Sequence, residues 1–217
     1  MKIEKSVAFT CAALALQVAA VGWLVWRYER IVQNGTEVRL RCQAYDPYDP
    51  LRGRYLRMTV REECSNILFD MSDVSECREF GDVFVKLAEA PDTDGLWRVE
   101  AVALEPADGG LWARPKSVRM AYCLEYNDKK DDESYSDFYE RREHSGRKAV
   151  VTFPDQLFVN EKIAPAAEKV LRRAEAGSAV AVYRVHDGKI VLTGIEIDGR
   201  SVQSATREAM DGGQSAE

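Results

Sequence analysis

Hydrophobic and polar positions change rhythm along this chain. Ser6 to Trp26 is a run of 21 uncharged, mostly apolar residues. From Thr36 to Tyr45, Val38, Leu40, Cys42 and Ala44 alternate with Arg39, Arg41 and Gln43. From Ile163 to Ala176, the apolar positions are Ile163, Ala167, Val170, Leu171 and Ala174. The first run predicts a bilayer-spanning helix, because about 1.5 Å per residue carries it across a core roughly 30 Å thick. Period two predicts a half-buried strand. The i, i+3, i+4 stripe predicts an amphipathic helix lying on the domain, with Pro165 in its first turn and Gly177 as its cap.

The remaining pattern is strand and turn. Asp46-Pro47-Tyr48-Asp49-Pro50 is a turn, since proline fixes φ and aspartate bonds nearby backbone. Arg54 to Val60 resumes as a strand with Leu56, Met58 and Val60 on one face. Arg61 to Gly81 is polar and irregular. Asp82 to Glu89 and Leu96 to Leu104 make a hairpin, and Leu111 to Val118 and Met120 to Tyr126 are further strands. Asn127 to Arg147 is dense in charge and is expected to be a mobile loop or a partly helical arm. Ala179 to Val185 and Lys189 to Ile197 form a hairpin across Asp187-Gly188. The expected fold is therefore mainly β (α+β): a transmembrane helix, then a β-rich domain with one helix packed on the sheet. The expected segments are a short cytoplasmic tail at 1–5, the span at 6–26, the domain at 27–202 and a disordered tail at 203–217.

A cleaved signal peptide competes with the anchor, with Val18-Ala19-Ala20 as its cleavage site. The apolar run continues six residues past that site to Trp26, which favours an uncleaved helix. Trp23, Trp26 and Tyr28 at its far end suit an interfacial belt. Basic residues flank both ends. Lys2 and Lys5 in the short leading tail support an N-in arrangement with the domain outside the cytoplasm.

Charge narrows the function classes. The first thirty residues hold four of the 30 basic and two of the 36 acidic side chains, leaving 26 and 34 in the remainder, a net of −8. So acidic a domain is poorly suited to nucleic acid, whose phosphates need clustered Lys and Arg. Cys42, Cys64, Cys77 and Cys123 lie beyond the helix. In an exported domain such thiols can pair, and Cys64 with Cys77 closes the shortest loop; four unpaired thiols are the alternative.

Asp46-Pro47-Tyr48-Asp49-Pro50-Leu51-Arg52-Gly53-Arg54-Tyr55-Leu56-Arg57-Met58 resembles the signature of the GDYXXLXY family of bacterial membrane-anchored proteins. There a D-P-x-D-P turn enters G-D-Y-x-x-L-x-Y. Gly53 and Tyr55 match, whereas Arg54 replaces the acidic residue, Met58 the leucine and Val60 the last tyrosine. Phe158-Val159-Asn160-Glu161, ahead of the helix, and the closing Ile197-Asp198-Gly199 are also similar to the family. The resemblance covers most of Glu37 to Val202 and implies an anchor plus a small β-rich domain of uncharacterised function.

Candidate chemistry is sparse. His144 and His186 are the only histidines, both expected on the surface, and no nucleophile, phosphate-loop or zinc pattern accompanies them. No catalytic, cofactor or metal residue is assigned. Asp46 and Asp49 could serve as paired carboxylates for acid–base work or calcium, but capping the turn explains them as well. The candidate binding patch is Asp46, Asp49, Arg52, Gly53, Arg54, Tyr55, Arg57, Phe158 and Glu161. The expected function is a membrane-tethered, non-catalytic interaction module with an integral membrane or cell-envelope partner. Two alternatives remain: an envelope hydrolase built on Asp46 and Asp49, and a barrel binding an apolar ligand between Phe84, Trp97 and Trp112.

Overall fold

The computed structural model describes residues 2–44, 55–69, 83–89, 95–130, 132–161, 163–174 and 178–214. Helix α1 (Lys2–Asn34) is long and apolar enough to cross a membrane. Residues 14–30 are exposed, with Arg30 Nη2 3.8 Å from Asp187 Oδ2, and tight packing begins at Ile31, which is 7% exposed. Trp23 and Trp26 stack at 5.1 Å near its end, with the Arg30 guanidinium 5.8 Å from the Trp26 ring. Gly35 turns the chain from helix to strand. A Cβ there would lie 2.5 Å from the Ile31 carbonyl oxygen and 3.1 Å from Val185 N, so a side chain would force the two elements apart.

Alternation then builds the sheets as expected. β1 (Thr36–Arg41) pairs antiparallel with β11 (Ala179–His186), while its continuation β2 (Gln43–Ala44) pairs with β3 (Tyr55–Thr59). Val38, Leu40 and Cys42 are buried, as are Leu56, Met58 and Val60. β3 runs on through Val60 into β4 (Arg61–Cys64), which pairs with β9 (Arg147–Thr152), and β9 pairs with β8 (Ser117–Tyr122). β11 turns through Asp187 and Gly188, at φ 48° and 72°, into β12 (Lys189–Ile197). β5 (Phe84–Glu89) pairs with β6 (Trp97–Ala103) and β7 (Leu111–Ala113). Parallel bridges join Ile67 to Val102 and Arg114 to Lys189. The strands thus run round a closed circuit: β12, β11, β1/β2, β3/β4, β6, β5, β7 and back to β12. One apolar core fills it.

Four elements differ from the sequence reading. The stretch expected to be strand from Leu111 to Val118 stops at Ala113, because Pro115 has no N–H to give a ladder, and β8 begins afresh at Ser117. The stretch after Arg61, expected to be irregular, opens with β4. β9 has no counterpart among the expected strands. Ala149, Val150 and Val151 are consecutively buried, so a central strand covered on both faces shows no alternation. The tail is not disordered over 203–214: α4 (Val202–Gln214) packs on α3 (Ala164–Arg173) and β12. Val202 is 1% exposed, and the buried Thr206 hydroxyl donates to its carbonyl at 2.6 Å. Its inward stripe is drawn in small residues, which hide it from a hydropathy count.

The charged arm is partly helical. α2 (Tyr135–His144) starts at Ser134, whose hydroxyl accepts from Asp137 N at 3.2 Å. Arg141 donates twice to Glu133, at 2.8 and 2.7 Å, and this pairing holds the Glu133 carboxyl down to about 2.

Candidate functional site

Tyr55 to Met58, the described end of the first stretch that resembles the family, lies beside the start of the second, about a hundred residues on in sequence. β10 (Gln156–Phe158) is antiparallel to β3, with Phe158 opposite Tyr55, Leu157 opposite Leu56 and Gln156 opposite Arg57. Leu56 and Met58 point into the core, so period two turns Arg57 outward. There it meets Asp155: Arg57 Nε is 3.4 Å from Asp155 Oδ2, and Lys116 Nζ is 2.7 Å from Oδ1. The carboxylate is only 12% exposed, against 34% and 45% for its two cations. Neither Asp155 nor Lys116 was singled out from the sequence. A Pro-Asp pair after a β-branched run is the signal available, and it reads as an ordinary strand end.

The Phe153-Pro154-Asp155 segment pins this corner from four sides. Phe153 N donates to Val60 O at 3.1 Å and Met58 N to Asp155 O at 3.0 Å. The Tyr183 hydroxyl donates to Pro154 O at 2.7 Å, and its ring lies 5.9 Å from that of Phe153. Burial raises the Tyr183 phenol well above its ordinary range and pushes the nearby Cys42 thiol up to about 12, so neither is poised to react near neutral pH.

Beyond Asp155 the chain leaves the core. Phe158 is 77% exposed at the end of β10, and Glu161 is exposed where the Asn160 carbonyl accepts from Ile163 N and Ala164 N to start α3. This corner lies at the Ala44 end of β1/β2, remote from the Thr36 end where α1 enters. Asp46, Asp49, Arg52, Gly53 and Arg54 lie outside the described residues, as do Gly177 and Cys77; Tyr55 heads β3. Of the proposed patch, the structure pairs Tyr55 with Phe158 across β3 and β10 and places Arg57 further along β3, while Glu161 follows Phe158 in the chain. Cys64 is a buried thiol with Sγ 3.7 Å from Asn66 O, and burial chiefly raises its pKa.

The other candidates are dispersed. His144 is exposed at the end of α2, its Nδ1 2.7 Å from Glu140 O. His186, expected on the surface, is instead half-buried beside the β11–β12 turn, 3.3 Å from Asp187 Oδ2. Trp97 packs against the core. Trp112 stands opposite Lys86 in register, so it shares with Phe84 the β5 face turned away from Val85 and Leu87. Trp112 Nε1 donates to Gly109 O at 3.1 Å, and Arg114 covers the Phe84 ring at 4.7 Å.

An α+β strand circuit rooted on one long apolar helix, with β3 and β10 paired at the opposite end, defines the class of this protein. Residues 17–195 match the family model for GDYXXLXY protein, and the chain belongs to the GDYXXLXY family. No match was found among curated proteins or among solved structures.

Proposed function

We propose that this chain is a single-pass, membrane-tethered, non-catalytic interaction module. Its domain lies on the extracytoplasmic side and engages an integral membrane or cell-envelope protein through the β3–β10 corner. The observation that carries this reading is the register of Phe158 against Tyr55, which joins the described end of the first family-like stretch to the start of the second at a corner remote from the anchor. A recognition surface needs rigid support, and the Asp155 network with the Tyr183 hydrogen bond supplies it. Phe158 is 77% exposed, and aromatic side chains are enriched where proteins meet.

The test is site-specific photocrosslinking in intact cells. A photoreactive residue at Phe158 should yield one discrete adduct with an integral membrane or envelope protein, while the same group at exposed Arg98 on β6 should not. Equal labelling at both positions, or none at Phe158, overturns the assignment. Exposed Cys123 reports the side of the membrane: a membrane-impermeant maleimide should modify it in intact cells, and modification only after lysis puts the domain inside.

A further inference from the structure

Gln17 is the most polar side chain in the apolar run, nine residues before Trp26 and eleven after Ser6. It is exposed on α1, and among the described residues no hydrogen bond to its side chain is formed. Water satisfies such a group on a soluble helix. At the middle of a bilayer nothing does except another helix, because hydrocarbon offers no donor or acceptor.

The neighbours of Gln17 on the helix surface are not random. At 3.6 residues per turn, Thr10, Ala13, Gln17, Ala20 and Leu24 follow steps of three, four, three and four, so they form one seam. Polar and small residues alternate along it: Thr10 and Gln17 mark successive heptads, with Ala13 and Ala20 between and beyond them. Alanines let two backbones approach closely enough for a side-chain amide to reach across. The helix is free to use this seam, because the domain first packs tightly on it at Ile31.

We infer that α1 pairs in the membrane with α1 of a second copy of this chain, Gln17 to Gln17, along the Thr10-Ala13-Gln17-Ala20-Leu24 seam. The inference rests on the reading of α1 as a membrane span. The second copy is the occupant because a carboxamide is both donor and acceptor. Two identical glutamines related by a two-fold axis therefore satisfy each other, as an isologous interface requires. Each copy also presents the same small residues at Ala13 and Ala20, so close approach is matched on both sides.

The test uses the full chain in native membranes, with Cys11→Ser, Cys77→Ser and Cys123→Ser as background, which leaves only the buried Cys42 and Cys64. Single cysteines at Ala13→Cys and Ala20→Cys should form oxidised homodimers. Ala12→Cys and Ala19→Cys, roughly 120–140° round the helix from the seam, should not. In vesicles, energy transfer between labelled full-length copies should fall with lipid dilution. Gln17→Leu should weaken association by about three- to tenfold, and Gln17→Asn should keep it. Cross-linking at the Ala12 and Ala19 positions instead, an unchanged Gln17→Leu dimer, or adducts only with a different protein each overturn the inference. Alkaline carbonate extraction separates the two levels. Protein that washes off shows that α1 does not span and sinks both readings; protein that stays in the membrane as a monomer sinks this one alone.

Discussion

Asp155→Asn isolates what supports the β3–β10 corner. The substitution keeps the shape and one acceptor oxygen but removes the charge facing Lys116 at 2.7 Å and Arg57 at 3.4 Å. A charge-assisted hydrogen bond contributes about 1.5–3 kcal/mol when both partners are sheltered, and an exposed ion pair about 0–1 kcal/mol. Here the carboxylate is sheltered and the cations are one-third to nearly half exposed, so solvent screens the pairs. The Lys116 contact is the shorter and should dominate. We expect a loss of about 1–2 kcal/mol for the substitution, which for a domain of this size lowers Tm by about 3–6 °C. The measurement is thermal unfolding of the full chain in lipid nanodiscs. A double-mutant cycle with Lys116→Met should give a coupling of about 0.5–1 kcal/mol. The reasoning is refuted if Asp155→Asn melts within about 1 °C of the parent and the coupling is nil. Phe158→Ser, by contrast, should leave Tm nearly unchanged while reducing partner capture. The two variants thus separate support from contact.

Three further outcomes follow from burial and charge. Burial raises the Glu62 carboxyl above its ordinary pKa, with Arg41 opposing it only in part. The folded state therefore holds that proton more tightly than the unfolded chain does, and stability falls as pH rises through the window between the two values. Glu62→Gln should accordingly be the more stable protein at pH 7, with the difference vanishing near pH 4; equal denaturation midpoints at both pH values would contradict this. Among the cysteines, exposed Cys123 should alkylate first and buried Cys42 only on unfolding, as read by timed mass mapping; similar rates would show that the core opens there. Deleting residues 202–217 should cost about 1.5–3 kcal/mol in a denaturant titration, because it uncovers the surface under Val202; a tail that contributes nothing to the fold would cost nothing.

What the sequence determined on its own is what one-dimensional periodicity encodes. An uninterrupted apolar run of this length predicts a long helix, and α1 forms it, exposed from Leu14 to Arg30. Strict alternation fixes a strand and its buried face, as Val38, Leu40, Leu56 and Met58 show. Asp187-Gly188 dictates a tight hairpin because both residues accept positive φ. The helix after Glu161 was legible from its stripe, and its inward residues Ala167 and Leu171 are those expected. Tertiary structure decided the rest. β9 is invisible to alternation because neighbours cover both its faces, and α4 is invisible to hydropathy because its inward stripe begins with a valine and a threonine. The pairing of Phe158 with Tyr55, and the convergence of Arg57 and Lys116 on Asp155, depend on contacts between segments 39 to 103 residues apart. No local pattern specifies such distances. They follow only when the closed strand circuit brings β3, β10 and the turn before β8 to one corner of the domain.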